Sequence, residues 1–173
     1  MASEDRLLNT TQRILDLLRL LNIAAAALLV GALILSFVAP QPSLQAIAGE
    51  IGDGKELDYL RTIRMLFGLG AAMAIPVHLI FSALLRILRG ARSGDPFTAQ
   101  AARSLRTTAW LFLLLQVADL YYGYVAIRFS LSSGEYAGWS PGLTGWLAVL
   151  LLFVLARIFE QGAALREEVE GTI

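Results

Sequence analysis

Residues 20–49, 65–85 and 136–156 of this chain contain no Asp, Glu, Lys or Arg, and within residues 107–127 only Asp119 is charged. A bilayer's hydrocarbon core is crossed by about 20 apolar helical residues. Backbone amides in lipid have no water to bond, so runs rich in Leu, Ala, Val and Ile must satisfy themselves as α-helices. The pattern predicts an all-α polytopic membrane protein, a bundle of four transmembrane helices over about residues 17–38, 63–85, 107–128 and 143–158. Composition agrees, because 57% hydrophobic and 16% charged residues are outside the range of an ordinary soluble domain. One membrane domain covering residues 1–173 is expected.

Fourteen basic residues balance fourteen acidic ones, so net charge supplies no attraction toward nucleic acid, and no direct nucleic-acid partner is expected. Zero cysteines and a single histidine argue against disulfides, thiolate chemistry and a protein-only metal site. No metal and no cofactor are therefore expected. The first apolar run follows a charged segment, exceeds a signal h-region in length and ends at Pro40 and Pro42, so it reads as a retained transmembrane helix.

Arginine sets the expected orientation. Arg6, Arg13 and Arg19 stand in the N-terminal segment and at the start of the first span, Arg86, Arg89, Arg92, Arg103 and Arg106 lie between the second and third, and Arg157 and Arg166 stand at the end of the fourth and in the tail. The opposite ends of the spans and their two loops hold only Lys55, Arg61, Arg64 and Arg128. Positive-inside topology then places both termini and the middle loop, residues 89–103, in the cytoplasm, together with a tail over residues 159–173. The outer loop, residues 39–58, carries Leu44, Ile47, Ala48 and Ile51 at helical spacing and predicts a short surface helix. A second outer loop spans residues 131–141, and Tyr121, Tyr122, Tyr124, Tyr136, Trp139 and Trp146 gather near it as an interfacial aromatic belt. Thr98 is placed as the N-cap of a helix running through Arg103 and Arg106 into the third span, and the second helix is expected to extend to Arg89. Leu7, Ile14, Leu17 and Leu18 predict that the N-terminal segment is helical, lying along the membrane or extending the first span.

Polar residues at membrane depth are the natural site candidates, because an ionised carboxylate there costs about 3 kcal/mol on insertion scales. Asp119 stands on a stripe with Thr108, Phe112, Gln116, Gly123 and Ala126, which is expected to face the bundle interior or a partner chain. His78 stands on a stripe with Phe67, Ala71, Ala74 and Ser82, close to Pro76, and is the expected partner of Asp119. Gln116 and Arg157 complete this intramembrane polar set; Arg157 either reaches Asp119 or extends to the headgroups. Two functions suit such a pair, a proton or ion relay and a hydrogen bond that fixes helix packing, and the second is the commoner. Ser82, His78 and Asp119 include the residue types of a catalytic triad, but Ser82 and His78 are one turn apart and no oxyanion hole is evident, so no enzymatic activity is expected. Ala27 with Gly31, Gly68 with Ala72 and Gly70 with Ala74 have the small-xxx-small spacing of closely approaching helices, within the chain more often than between copies.

Two segments carry a family resemblance: Gly94-Asp95-Pro96-Phe97-Thr98 followed by Arg103-Ser104-Leu105-Arg106, and the closing run from Leu155 through Arg157, Ile158, Phe159, Glu160, Gln161 and Gly162 to Glu168. With these the chain resembles, over essentially its whole length, the domain-of-unknown-function family DUF2975, small four-helix bacterial integral membrane proteins. The family pattern usually has Asn where this chain has Ala101, an acidic residue where it has Arg157 and often a basic one near Glu160. The resemblance thus implies an i,i+3 ion pair with its charges exchanged. Members are often encoded beside a small Cro-like helix-turn-helix regulator. This implies a protein of the bacterial inner membrane that sequesters or regulates such a transcription regulator, with Arg92, Phe97, Arg103 and Arg106 as the partner-docking candidates. The rival readings are a small-solute or proton-coupled transporter or channel subunit, working as a homo-oligomer and using Asp119 and His78, and a purely structural membrane subunit.

Overall fold

The computed structural model describes residues 2–39, 56–92, 97–133 and 139–170. Among them are four helices, α1 (Ala2–Val38), α2 (Glu56–Arg92), α3 (Ala99–Ser133) and α4 (Leu143–Glu170). Each is long and apolar enough to cross a membrane. All four outrun the spans expected from hydropathy, because polar and charged residues that end a membrane span do not end a helix. The N-terminal segment extends α1 as one continuous helix, and α2 continues past Arg89 to Arg92. The helix ends shorten the expected connections: Glu56 to Asp58 belong to α2, Arg89 to Arg92 and Ala99 to Arg103 are helical, and Leu131 to Ser133 complete α3. The expected surface helix at Leu44 to Ile51 and the belt residue Tyr136 lie outside the described residues.

α3 begins where the sequence places its cap. Thr98 Oγ1 accepts from the Ala101 N–H at 3.1 Å, and the Thr98 carbonyl takes the Ala102 N–H at 3.1 Å. The side chain thereby satisfies one of the four donors that a helix start leaves open.

The helices contribute to two compact units. Unit 1 comprises residues 1–22, 76–116 and 142–173; unit 2 comprises residues 23–75 and 117–141. The division within α2 falls at Pro76, whose ring removes the N–H that would bond the Ala72 carbonyl.

Size sorts the side chains as in a membrane interior. The most buried residues of unit 1 are Ala83, Ala102, Thr108 and Ala109, joined by Ala101, Ser104, Ala156 and Ala163 and by the larger Ile80, Leu85, Leu105 and Val149. Many other large apolar side chains point outward, among them Leu28, Leu35 and Val38 of α1 and Leu147, Leu150, Leu151 and Val154 of α4. Water would penalise so much exposed apolar surface. Lipid does not, and helices in lipid gain by bringing small residues together so that their backbones approach.

Candidate functional site

In unit 1, the two signature segments meet. Phe97, just before α3, packs against Phe159 of α4 with ring centroids 4.9 Å apart. A Cβ added at Gly162 would come within 3.0 Å of the Phe97 ring, so the glycine supplies the notch that seats it. Next to Phe159, Glu160 forms an ion pair with Arg106 of α3 at 3.6 Å and accepts a hydrogen bond from Arg157 at 3.4 Å. The exchanged i,i+3 pair that the resemblance implies is thus present, and it is shared with α3. Both arginine side chains remain mostly exposed.

Arg92, another docking candidate, reaches α1: its guanidinium donates to Gln12 Oε1 at 2.9 Å and to Asn9 Oδ1. Arg103 is exposed on the first turns of α3, on the side opposite the buried Ala101, Ala102 and Leu105. Neither it nor Arg86 has a hydrogen bond or ion pair among the described residues. Two cavities flank the end of α2. One, of about 250 Å³, is lined by Gln12, Asp16, Arg19, Leu85, Leu88, Arg89 and Arg92. The other, of about 330 Å³, is lined by Arg86, Arg89, Gly90, Thr98, Gln100, Ala101 and Ser104.

Of the intramembrane polar set, His78 and Asp119 fall in different units, and each has a hydrogen bond inside its own. In unit 1, Arg19 of α1 donates through Nε to His78 Nε2 at 3.2 Å, and Ser82 donates to the His78 carbonyl at 2.9 Å. The Gln116 amide lies over Gly145 of α4 so closely that a Cβ there would overlap it. In unit 2, Trp139 donates its indole N–H to Asp119 Oδ1 at 3.3 Å. The same indole covers Gly123, where a Cβ would overlap the ring. Asp119 itself is exposed, whereas Thr108, Gly123 and Ala126 of its stripe are buried. Neither an arginine nor an indole exchanges protons at ordinary pH, so the contacts visible at His78 and Asp119 are of the kind that position helices.

Unit 2 also holds a clasp that no sequence pattern announces. Arg64 of α2 donates through Nε to Ser36 Oγ at 3.1 Å and through Nη2 to the Ser36 carbonyl, while its guanidinium covers the Phe37 ring at 4.2 Å. It thus satisfies a carbonyl left open by the end of α1, at the pole of the helix dipole that favours a cation. Gly70 is the small residue that meets α1, with Leu29 Cδ1 3.1 Å from where its Cβ would stand; Gly31 and Gly68 face open space.

The architecture is that of a multi-pass helical membrane protein, with four spanning-competent helices and small residues inside. The chain belongs to the family described as Protein of unknown function (DUF2975), whose profile matches residues 52–173. The matched region holds α2, α3, α4 and both signature segments, and α1 precedes it. No curated protein and no solved structure matches the chain.

Proposed function

We propose that this chain is a multi-pass protein of the bacterial inner membrane, with both termini cytoplasmic, that holds a small helix-turn-helix regulator at the membrane surface. The observation that carries this reading is the placement of Arg103 and Arg106. They stand three residues apart on the exposed side of α3, in a segment whose other side is buried and whose start is pinned to α4 through Phe97, Phe159 and Gly162. Charges held on a rigid helix face make a better recognition surface than charges on a loop, and they select a partner face carrying carboxylates. Arg92 plays a different part in this reading, because its hydrogen bonds to Asn9 and Gln12 tie α2 to α1; Arg106 shares only an exposed ion pair with Glu160 and Arg103 has no partner among the described residues, so these two are the docking residues. The family resemblance supplies the kind of partner.

A transport role for Asp119 and His78 draws less support, since Trp139 and Arg19 occupy them as structural partners would. Charge reversal tests the docking reading. The doubly substituted protein, Arg103→Glu with Arg106→Glu, is expected to lose the regulator on gentle purification while keeping its helicity and its elution volume. Undiminished co-purification would refute it.

A further inference from the structure

The two cavities beside the end of α2 differ in what answers their positive charge. The cavity toward α1 contains its own answer: Asp16 lines it, and the Arg19 and Arg92 guanidiniums are engaged by His78, Gln12 and Asn9. Among the described residues, the cavity toward α3 contains none. Arg86 lines it from α2 together with Arg89, which also borders the cavity toward α1; Gln100 and Ser104 line it from α3 and Thr98 from just before it, and no carboxylate is among its described lining residues. Arg86 has no hydrogen bond or ion pair among the described residues. Arg89 donates through Nε to its own helix, to the Leu85 carbonyl at 3.2 Å, which leaves the two Nη groups as its remaining donors.

The start of α3 does not account for the site, because the Ala101 N–H at the cavity wall is already taken by Thr98 Oγ1. What remains is a pair of guanidiniums and a few neutral hydrogen-bonding groups around a volume of about 330 Å³, the size of a small-ligand pocket. Guanidinium forks match tetrahedral oxyanions, to which they donate two parallel hydrogen bonds. Position narrows the ligand further. Arg86 directly follows the uncharged stretch 65–85, and Arg89 stands about 5 Å further along the axis at the helical rise, which is headgroup level for a spanning α2.

We propose that this cavity binds a phosphate group through Arg86 and Arg89, and that the phosphate belongs to the headgroup of an anionic phospholipid. Such a lipid lies with its acyl chains against the outward-facing apolar side chains and its phosphate between the two arginines. Basic pockets between membrane helices take headgroups in this manner. The site is separate from the docking residues Arg103 and Arg106.

The test uses the full-length protein in non-ionic detergent, with lipid retention measured by native mass spectrometry. Phosphatidylglycerol and phosphatidylcholine with the same acyl chains are compared, and inorganic phosphate is titrated in a separate arm. Wild type is expected to prefer phosphatidylglycerol. Arg86→Gln with Arg89→Gln is expected to weaken that binding by about 25-fold, the equivalent of about fivefold for each basic side chain at a membrane surface. Arg61→Gln with Arg128→Gln, which removes equal charge elsewhere, is expected to leave it unchanged, and Arg86→Lys with Arg89→Lys to retain part of it. Binding of inorganic phosphate that depends on the same two arginines, without lipid preference, would keep the phosphate site and move its source to solution. Equal retention of both lipids and of phosphate by wild type and the glutamine variant, with all variants equally helical, would overturn the proposal.

Discussion

Unit 1 buries a run of Ala, Ser and Thr from α2, α3 and α4, with Ala83 and Ala109 fully enclosed, whereas the described residues buried in unit 2 are Ser36, Leu60, Gly123 and Ala126. The first carries polar contacts between helices as well, Arg19 on His78 and Arg92 on Gln12, around a closely filled interior. In the second, with fewer buried side chains described, the polar contacts of Arg64 on Ser36 and Trp139 on Asp119 stand out. The contrast teaches where each can fail: unit 1 is sensitive to added volume at almost any interior position, and unit 2 to the loss of particular donors and acceptors.

The largest effect is expected from Ala109→Leu in unit 1. The new side chain has no space, and over-packing of this kind costs about 1–3 kcal/mol, read as a lower midpoint in denaturant titration of the detergent-solubilised protein. An unchanged midpoint would mean that the small-residue core is not what holds unit 1 together. Next comes Gly123→Ala, which must displace the Trp139 indole and break its bond to Asp119, at a cost of about 1–2 kcal/mol. In a Trp139→Phe background, without the indole N–H, the same substitution should cost less, and equal costs would separate Gly123 from that bond.

Arg64→Ala should destabilise unit 2 by about 1 kcal/mol through loss of the carbonyl cap and the Ser36 hydrogen bond. Arg64→Lys should recover only part, since a lysine cannot donate to both atoms in the fixed fork of a guanidinium; full recovery would assign the effect to charge alone. Smallest is Arg106→Ala, expected to change stability by no more than about 0.5 kcal/mol because its pair with Glu160 is exposed. A loss several times larger would recast Arg106 as a structural residue of unit 1. Asp119→Asn is expected to be equally mild in stability, because the amide oxygen still accepts from Trp139. Altered proton flux in proteoliposomes with that variant would reopen the relay reading.

The four long apolar helices were legible in the sequence because lipid leaves a long apolar run no alternative to a helix. The Thr98 cap was legible too, as a local signal read within four residues. Helix length was legible in part: the extensions of α2 to Arg89, of α3 back to Thr98 and of α4 to Glu170 were expected, because residues such as Arg13 and Glu160 mark the edge of a span without interrupting helical geometry. Partner choice was largely illegible. His78 meets Arg19 across 59 positions, and Arg64 meets Ser36 across 28. A periodic stripe gives the rotation of one helix about its own axis but not which residue of another helix lies opposite at the same depth. Asp119 shows the limit clearly. Its stripe was legible, and Thr108, Gly123 and Ala126 of that stripe are buried, yet its partner is the indole of Trp139, a residue expected in an interfacial belt. The packing of Phe97 on Gly162 had a detectable signal, because both fall in the segments that carry the family resemblance.

The docking proposal requires the end of unit 1 that carries Arg103 and Arg106 to face the cytoplasm. The chain contains no cysteine, so single cysteines at Ala99 and at Ser140, both exposed and outside the proposed sites, report sidedness without background. A membrane-impermeant maleimide on intact cells should label Ser140→Cys directly and Ala99→Cys only after permeabilisation. Labelling in the reverse order would put the arginine-bearing end outside the cell and contradict a cytosolic partner.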